Sequence, residues 1–327
     1  MRRRYFIKLL SGAAVTWPLA ARAQEAAMPM IGVLSSTPLV GRAHLVTAFQ
    51  QGLRETGYVA GRNVAIEYRW TEENQYDRLP DLAADLVRRH VAVIATLDTT
   101  SAIEAKAATT TIPIVFTSGG DPVKLGLVAS LNRPGGNVTG VTFLIATLAA
   151  KQLGLLHELL PNATRIAVLV DPKFPLTESF VADVRAAASA IGKQIEFLYA
   201  STGGDINTVF ASIARKPADA LLVGPAPVFN SRRAQVVTGA TYHKVPAIYS
   251  LRENTEAGGL MSYGLSLTNA YRQAGIYTAR ILKGEKPTDL PVMQSTKFEL
   301  LINLNTAKIF GLSFPPGLLA IADEVIE

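Results

Sequence analysis

From Met30 onward, short apolar runs rich in β-branched residues alternate with longer segments of helical periodicity. The first apolar run covers residues 31–34, and the helical pattern that follows it ends at Gly57. Three more runs of the same kind follow in this half of the chain, at residues 64–68, 91–95 and 112–116. This alternation predicts βαβ units and a parallel sheet.

The same plan begins again in the second half of the chain. Ile31 precedes Gly57 by the same number of residues as Ile166 precedes Gly192, and each glycine suits the left-handed end of a helix. The proline-containing run at residues 112–116 also returns later, in the same order. These matches indicate a duplicated α/β lobe. We therefore predict an α/β protein with two doubly wound parallel-sheet lobes, which its 327 residues can accommodate.

Two such lobes leave a cleft between them, and open α/β sheets bind ligands beyond the carboxyl ends of their strands. Six loops follow those ends, at residues 35–43, 97–101 and 117–122 in the first half and 171–179, 224–230 and 249–254 in the second. Hydroxyl-bearing, acidic and aromatic residues in or near these loops are the candidates for binding a ligand. They are Ser35, Ser36, Thr99, Thr100, Ser101, Asp121, Glu178, Phe229, Tyr249 and Tyr263.

Two of these groups suit a charged ligand. Free backbone N–H groups at the helix start near Ser101 favour an anion such as a carboxylate, although Thr100 or Ser101 can equally serve only as the N-cap. Asp121 precedes a proline, as Asp171 does in the second half. Each aspartate therefore either caps a helix or faces the cleft and pairs with a ligand ammonium.

The remaining candidates have two interpretations as well. Glu178 and Glu253 are loop acids that are either solvated or bind the same ammonium. Four aromatic residues either pack in the core or form apolar walls for the ligand. They are Phe174, Phe229, Tyr249 and Tyr263.

The formal net charge of +6 first suggests a nucleic-acid or anionic-membrane partner. Five basic residues and no acid lie within residues 1–23, however, so the remainder is nearly neutral and we expect no nucleic-acid partner.

Residues 1–23 have a cationic start, an uncharged run and a small-residue cleavage site at Ala23, the layout of a signal peptide. Arg3 and Arg4 fit a twin-arginine signal, with Sec export as the alternative. The uncharged run is too short to span a membrane.

The sequence offers no convincing motif for catalysis or for a cofactor. The chain has no cysteine, and its four histidines lack metal-ligand spacing. The segment around Ser262 departs from the nucleophile elbow, and no histidine follows it. The Gly119-Gly120 pair matches neither a P-loop nor a dinucleotide fingerprint. We therefore expect no metal, no cofactor and no enzymatic activity.

Several ordered segments carry a family resemblance. They are IGVL at residues 31–34, DPVKLGLV at 121–128, RPGGNVTG at 133–140, LMSYG at 260–264, AYR at 270–272 and ADEVI at 322–326. Together they resemble the ABC-transporter substrate-binding family that includes tryptophan- and tyrosine-binding lipoproteins. The resemblance covers essentially the whole chain after the leader.

The resemblance implies a type I periplasmic binding fold, in which a hinge of three crossovers joins the lobes. We place these crossovers near Thr142, Gly264 and Pro287. The first lobe then comprises residues 28–142 plus 264–286, and the second comprises residues 143–263 plus 287–327.

The resemblance also implies a function. The protein would capture a small polar solute in the periplasm, such as an amino acid or aromatic acid, and present it to the permease subunits of an ABC importer. The family's site would place Ser35, Ser36, Thr100 and Asp121 near the ligand. The lipobox cysteine of the lipoprotein relatives is absent, which implies free diffusion in the periplasm. The segment at residues 171–179 departs from the pattern of amino-acid-binding relatives, which start it with Asn-Pro.

Two other functions use the same architecture. One is a ligand-sensing receptor domain, because repressors of the lactose-repressor type share the two-lobed core. A repressor needs a DNA-binding head, and a secretion leader stands in its place here. The other is an exported α/β enzyme, since a fold alone does not determine activity.

Overall fold

The computed structural model describes residues 28–38, 42–72, 75–143, 148–295 and 298–327. The predicted signal peptide, residues 1–23, lies outside the described residues. The strands are β1 Met30–Ser35, β2 Ala65–Trp70, β3 Val93–Thr96, β4 Ile114–Ser118, β5 Val138–Thr142, β6 Arg165–Val170, β7 Gln194–Tyr199, β8 Ala220–Val223, β9 Ala247–Tyr249, β10 Met261–Leu265, β11 Met293–Gln294, β12 Phe298–Asn303 and β13 Glu324–Ile326.

Helices connect most of these strands, as the apolar periodicity predicts. They are α1 Ala43–Glu55, α2 Leu79–Arg88, α3 Thr99–Ala108, α4 Ala149–Leu159, α5 Thr177–Ala190, α6 Gly203–Arg215, α7 Pro227–Ser231, α8 Arg233–Tyr242, α9 Arg252–Glu256, α10 Leu267–Leu282, α11 Leu304–Phe310 and α12 Pro316–Ala320. Among the helices of the described ranges, none is both long and apolar enough to cross a membrane.

The strands form two sheets with the same internal plan. The first sheet has the order β11-β5-β4-β3-β1-β2, and the second has the order β13-β12-β10-β9-β8-β6-β7. In both sheets the first five strands of the lobe pair in parallel and follow one order, so β6 to β10 repeat β1 to β5. The prediction of two duplicated parallel-sheet lobes is confirmed. The second sheet adds an antiparallel neighbour, because β12 pairs antiparallel with β10.

Each sheet is buried on both faces. In β1, Val33 packs into the cluster beneath α1 and α10, whereas Leu34 packs into the cluster on the opposite face beneath α2 and α3. Successive side chains of a strand point to opposite faces, so a strand covered on both sides must be apolar throughout. This explains why central strands such as β1 and β8 read as continuous apolar runs, whereas the edge strands β2 and β7 also contain charged residues.

The chain passes between the lobes near the first two predicted positions. The first sheet's β5 ends at Thr142, and the following helix α4 packs in the second lobe. The second sheet's β10 ends at Leu265, and α10 then packs against α1 in the first lobe. These passages bring α10 back beside the start of the chain.

The third passage lies later than the prediction near Pro287. The segment after α10 stays with the first lobe, where the Thr139 hydroxyl donates to the Leu290 carbonyl at 2.6 Å. Strand β11 then pairs with β5, so residues 287–294 belong to the first lobe and the chain crosses after Gln294. The predicted boundary was wrong because a two-residue edge strand leaves no apolar run in the sequence.

Two glycines let the backbones of α1 and α10 approach closely. A methyl group on Gly52 would overlap the carbonyl oxygen of Arg272, and one on Gly275 would overlap the carbonyl oxygen of Phe49. Because these neighbours are backbone atoms, they cannot yield by changing rotamer. The glycines therefore fix α1 against α10.

Replacing Gly52 or Gly275 with alanine tests this contact. We expect each variant to lose at least about 1–3 kcal/mol of stability, since the helices must separate to admit the methyl group. Gly154→Ala in α4 is the matched control, because an added methyl there meets nothing within 4 Å and alanine favours a helix. Urea denaturation measures all three variants. Equal stability of Gly52→Ala and Gly154→Ala would contradict the proposed close contact.

Candidate functional site

The two lobes enclose a cleft with about 500 Å³ of empty space, including the part open to solvent. Each of the six loops at the carboxyl ends of the strands supplies lining residues. The first lobe contributes Arg42, Leu97, Asp98, Thr99 and Gly119. The second contributes Phe174, residues 225–227, Asn230, Ser250 and Leu251. Phe143, at the first crossover, and Leu267 and Tyr271 of α10 complete the lining.

Asp98 organises the first-lobe side of the cleft. It is the N-cap of α3, and its Oδ1 accepts a hydrogen bond from the Ser101 N–H at 2.8 Å. Its Oδ2 accepts from the Ser36 N–H at 2.8 Å and from the Ser35 hydroxyl at 3.3 Å. The structure thus gathers Ser35, Ser36 and Ser101 around a carboxylate. That carboxylate occupies the helix start where the sequence favoured a ligand anion.

Among the predicted candidates, Phe174 lines the cleft directly, and so does Thr99. Its hydroxyl lies 3.1 Å from the Ser118 hydroxyl and accepts from the Gly119 N–H, also at 3.1 Å. Thr100 is buried beside it, and its hydroxyl makes no hydrogen bond within the described structure. Neither threonine caps α3, because Asp98 does.

The other predicted residues lie away from the cleft lining. Asp121 caps a turn by accepting from the Val123 N–H at 2.9 Å. Glu178 is exposed on the first turn of α5. Phe229 and Tyr249 are each 1% exposed and pack in the core of the second lobe. Tyr263 stacks on the Phe298 ring at a centroid distance of 5.8 Å.

Arg42 is a site residue that sequence reasoning missed. It lies directly before α1, is only 8% exposed and lines the cleft. Its Nη1 donates a hydrogen bond to the Thr37 hydroxyl at 2.8 Å. A lone loop arginine is usually solvated, so its type gave no signal. The position of Arg42 in the chain was a usable signal, because it is the sole charged residue in the predicted cleft loop 35–43.

The lobes touch each other beside the cleft. His44 of α1 pairs with Glu253 of α9, with 2.9 Å between Nε2 and Oε1. On the other lip, Gly120 lies so close to Leu176 that an added methyl would overlap the leucine side chain. These contacts show a closed arrangement of the two lobes.

Ionisable groups of the two lobes lie close together beside the cleft. Burial first, and then the negative charges of Asp171 and Asp98, raise the pKa of Tyr76, which precedes α2. Burial also raises the pKa of Asp171 at the end of β6, although hydrogen bonds from Ser201 and the Lys173 N–H oppose the shift. Tyr76 therefore stays neutral and can donate a hydrogen bond between the lobes.

Glu253 shifts in the opposite direction. Burial alone would raise its pKa, but the hydrogen bond from His44 and the positive charges of His44 and Arg233 bring the pKa below its usual value. The carboxylate is therefore ionised at neutral pH.

Across the described ranges, no three His, Asp or Glu side chains lie close enough together to hold a metal ion.

Repressors of the LacI type and a glucose-galactose binding protein share the type I periplasmic binding fold with this chain at 16% identity or less. Residues 31–326 match the family of ABC transporter substrate binding proteins. The chain belongs to that family.

Three relatives are more similar in sequence. A tyrosine-binding protein from Clostridioides difficile is 29% identical over 80% of this chain and 74% of its own length. A Streptococcus pneumoniae ABC domain in complex with L-Trp is 27% identical, with a TM-score of 0.83 over 91% of this chain and 99% of its own. The ligand-free, open structure of a substrate-binding protein from Clostridium difficile is 26% identical over the same shares, with a TM-score of 0.65.

Replacing His44 with alanine tests the contact between the lobes. We expect substrate affinity to fall about 2- to 5-fold, because a half-exposed ion pair contributes about 0.5–1 kcal/mol and exists only in the closed form. Calorimetry with L-tryptophan, the ligand of the pneumococcal relative, is the first measurement. The pair needs an ionised Glu253, so its contribution to the affinity should be lost as the pH falls through the lowered pKa of that carboxyl. It is an ion pair only while the imidazole of His44 is charged as well.

The control for this prediction is His90→Asn. His90 is exposed, lies outside the cleft lining and has a left-handed backbone that asparagine tolerates. It should bind substrate as the wild-type protein does. An unchanged affinity in His44→Ala would show that the pair with Glu253 does not stabilise closure.

Proposed function

We propose that this protein is the periplasmic receptor of an ABC importer and that it captures an amino acid with an aromatic side chain. The observation that carries the proposal is the composition of the cleft, in which aromatic walls surround one cationic and one anionic side chain. The ligand would be released unchanged to the permease, and the transport energy would come from the ATPase subunits.

The charges in the cleft fit a zwitterion. Among its described lining residues, Arg42 is the cation and Asp98 is the anion. Both are 8% exposed, so water screens them poorly and each favours an opposite charge on the ligand. A neutral sugar could hydrogen-bond to both groups but would compensate the charge of neither.

The apolar surfaces fit a planar side chain. Phe143 and Phe174 contribute rings at the lining, each no more than 7% exposed, and Tyr271 contributes a third at 2%. The Tyr271 hydroxyl donates to the Leu97 carbonyl, which fixes its ring. Rings prefer offset or edge-on contacts with other rings, so these walls favour an aromatic ligand over an aliphatic one.

The relatives support the same class of ligand. One is a tyrosine-binding protein and another was solved with L-Trp. This chain also resembles the L-Trp complex, at a TM-score of 0.83, more than the open ligand-free structure, at 0.65, although the sequence identities are 27% and 26%. The difference supports a closed arrangement of the lobes, which is the form that a ligand bridging the cleft would stabilise.

A thermal-shift screen tests the ligand class. L-tyrosine, L-tryptophan or L-phenylalanine should raise the Tm, because a ligand at 100 times its Kd adds about 2.7 kcal/mol of stability. For a chain of this size that corresponds to a rise of about 4 °C. D-glucose is the control and should leave the Tm unchanged. The proposal fails if a sugar or another uncharged solute stabilises the protein and no aromatic amino acid does.

The importer role requires export of the protein, and processing of residues 1–23 tests whether export occurs. Expressed with its full sequence in a Gram-negative host, the protein should appear in the periplasmic extract. Mass spectrometry should find the chain beginning at Gln24, after cleavage at Ala23. A chain retained in the cytoplasm with its leader intact would contradict a periplasmic role.

Replacing Arg3 and Arg4 with lysine distinguishes the export routes, since only the twin-arginine route requires both arginines.

A further inference from the structure

Arg42 has an unusual environment for an arginine in this protein. It is 92% buried, because only 8% of it is exposed, yet its guanidinium makes a single described hydrogen bond, to Thr37. Over the described residues, no carboxylate lies within ion-pair distance of it. A guanidinium has five N–H donors in a planar fork, so most of its donors have no hydrogen-bond partner among the described residues.

Several other partly buried arginines of the described structure have carboxylate partners. Arg69 lies 2.8 Å from Asp85, Arg165 lies 2.7 Å from Glu196, and Arg252 lies 2.6 Å from Glu299. All three are more exposed than Arg42. Since burying an unpaired cation is unfavourable, the chain would not be expected to keep Arg42 in place without an anion that enters from outside.

A second feature adds positive potential at the same place. Helix α1 begins at Ala43, directly after Arg42, without a capping side chain and with no acid in its first turn. Its first N–H groups and the helix dipole therefore favour an anion beside the guanidinium. By contrast, the start of α3 already holds the Asp98 carboxylate. Of these two helix starts at the cleft, the one at α1 is suited to an anion.

We propose that Arg42 binds the carboxylate of the ligand and that this contact sets the requirement for a free carboxylate. The inference rests on the proposed function, because it assigns an orientation to the same amino acid in the same cleft. The ligand carboxylate points to the start of α1, which leaves the side chain toward the aromatic walls. Its ammonium then lies on the side of Asp98, which faces the same cleft.

The experiment compares L-tyrosine with L-tyrosinamide, in which a neutral amide replaces the carboxylate. Calorimetry measures both probes on the wild-type protein and on Arg42→Gln. The wild-type protein should prefer L-tyrosine by at least 10-fold. Arg42→Gln should bind L-tyrosine 10- to 100-fold more weakly and the amide within 3-fold of wild type, so that the preference disappears.

Two further variants complete the design. Arg54→Gln, at an exposed position on the same helix, makes the same change in charge and should keep the wild-type preference. Arg42→Lys keeps the charge but not the planar fork, and it should retain only part of the preference. It also carries the test if Arg42→Gln does not fold. The Tm of ligand-free Arg42→Gln should equal or exceed that of wild type, whereas a purely structural arginine would lower it when replaced.

The outcomes separate this inference from the proposed function. A wild-type protein that binds L-tyrosinamide as tightly as L-tyrosine overturns the role of Arg42 and leaves the receptor function standing. The role of Arg42 is also overturned if Arg42→Gln keeps the full wild-type preference for L-tyrosine. If Arg42→Gln does not fold, the same result for Arg42→Lys overturns it. A wild-type protein that binds neither probe, and none of the aromatic amino acids in the screen, overturns the proposed function and this inference together.

Discussion

The geometry of the cleft depends on how closely α1 packs against α10. Gly52 and Gly275 bring the two helix backbones into contact, where any side chain would separate them. Helix α10 enters the first lobe directly from the second, and it carries Leu267 and Tyr271 at the cleft lining. The contact therefore fixes the start of α1, with Arg42 and His44, relative to the chain passage between the lobes. A shift of this helix pair would move the cation of the cleft and the interlobe ion pair together.

Much of the fold could be predicted from the sequence because its strands are buried on both faces. Runs such as residues 31–34 and 166–170 are apolar throughout, and the repeat between the halves indicated two lobes. What the sequence did not show were the short edge elements. Strand β11 has two residues, and its pairing with β5 comes from tertiary contacts rather than from an apolar pattern. The boundary near Pro287 was misplaced for that reason.

The candidate site was predictable as a set of loops and much less so as a set of side chains. All six loops at the strand ends contribute to the lining, because the sheet topology places them there. Whether a given side chain faces the cleft depends on local backbone geometry, and Phe229 and Tyr249 turn into the core. The hydroxyl-rich start of α3 suggested an anion site, yet Asp98 lies one residue earlier and satisfies the helix start itself. When an acid occupies the N-cap position of a helix, as Asp98 does, the helix start is already neutralised and is a poor candidate for binding a ligand anion.

The division of polar groups between the lobes explains how recognition and closure can be separate properties of one site. Arg42 and Asp98 both belong to the first lobe, so contacts with them alone stabilise open and closed forms equally. A ligand shifts the lobes only through contacts that exist in the closed form, such as those with Phe174, Asn230 and Ser250 of the second lobe. A micromolar Kd corresponds to about 8 kcal/mol, and a contact such as the His44 pair supplies only a small part of the closed form's stability. If Arg42 and Asp98 hold the ligand as proposed, the first-lobe charges select the ligand, and the second-lobe contacts determine whether its entry closes the cleft.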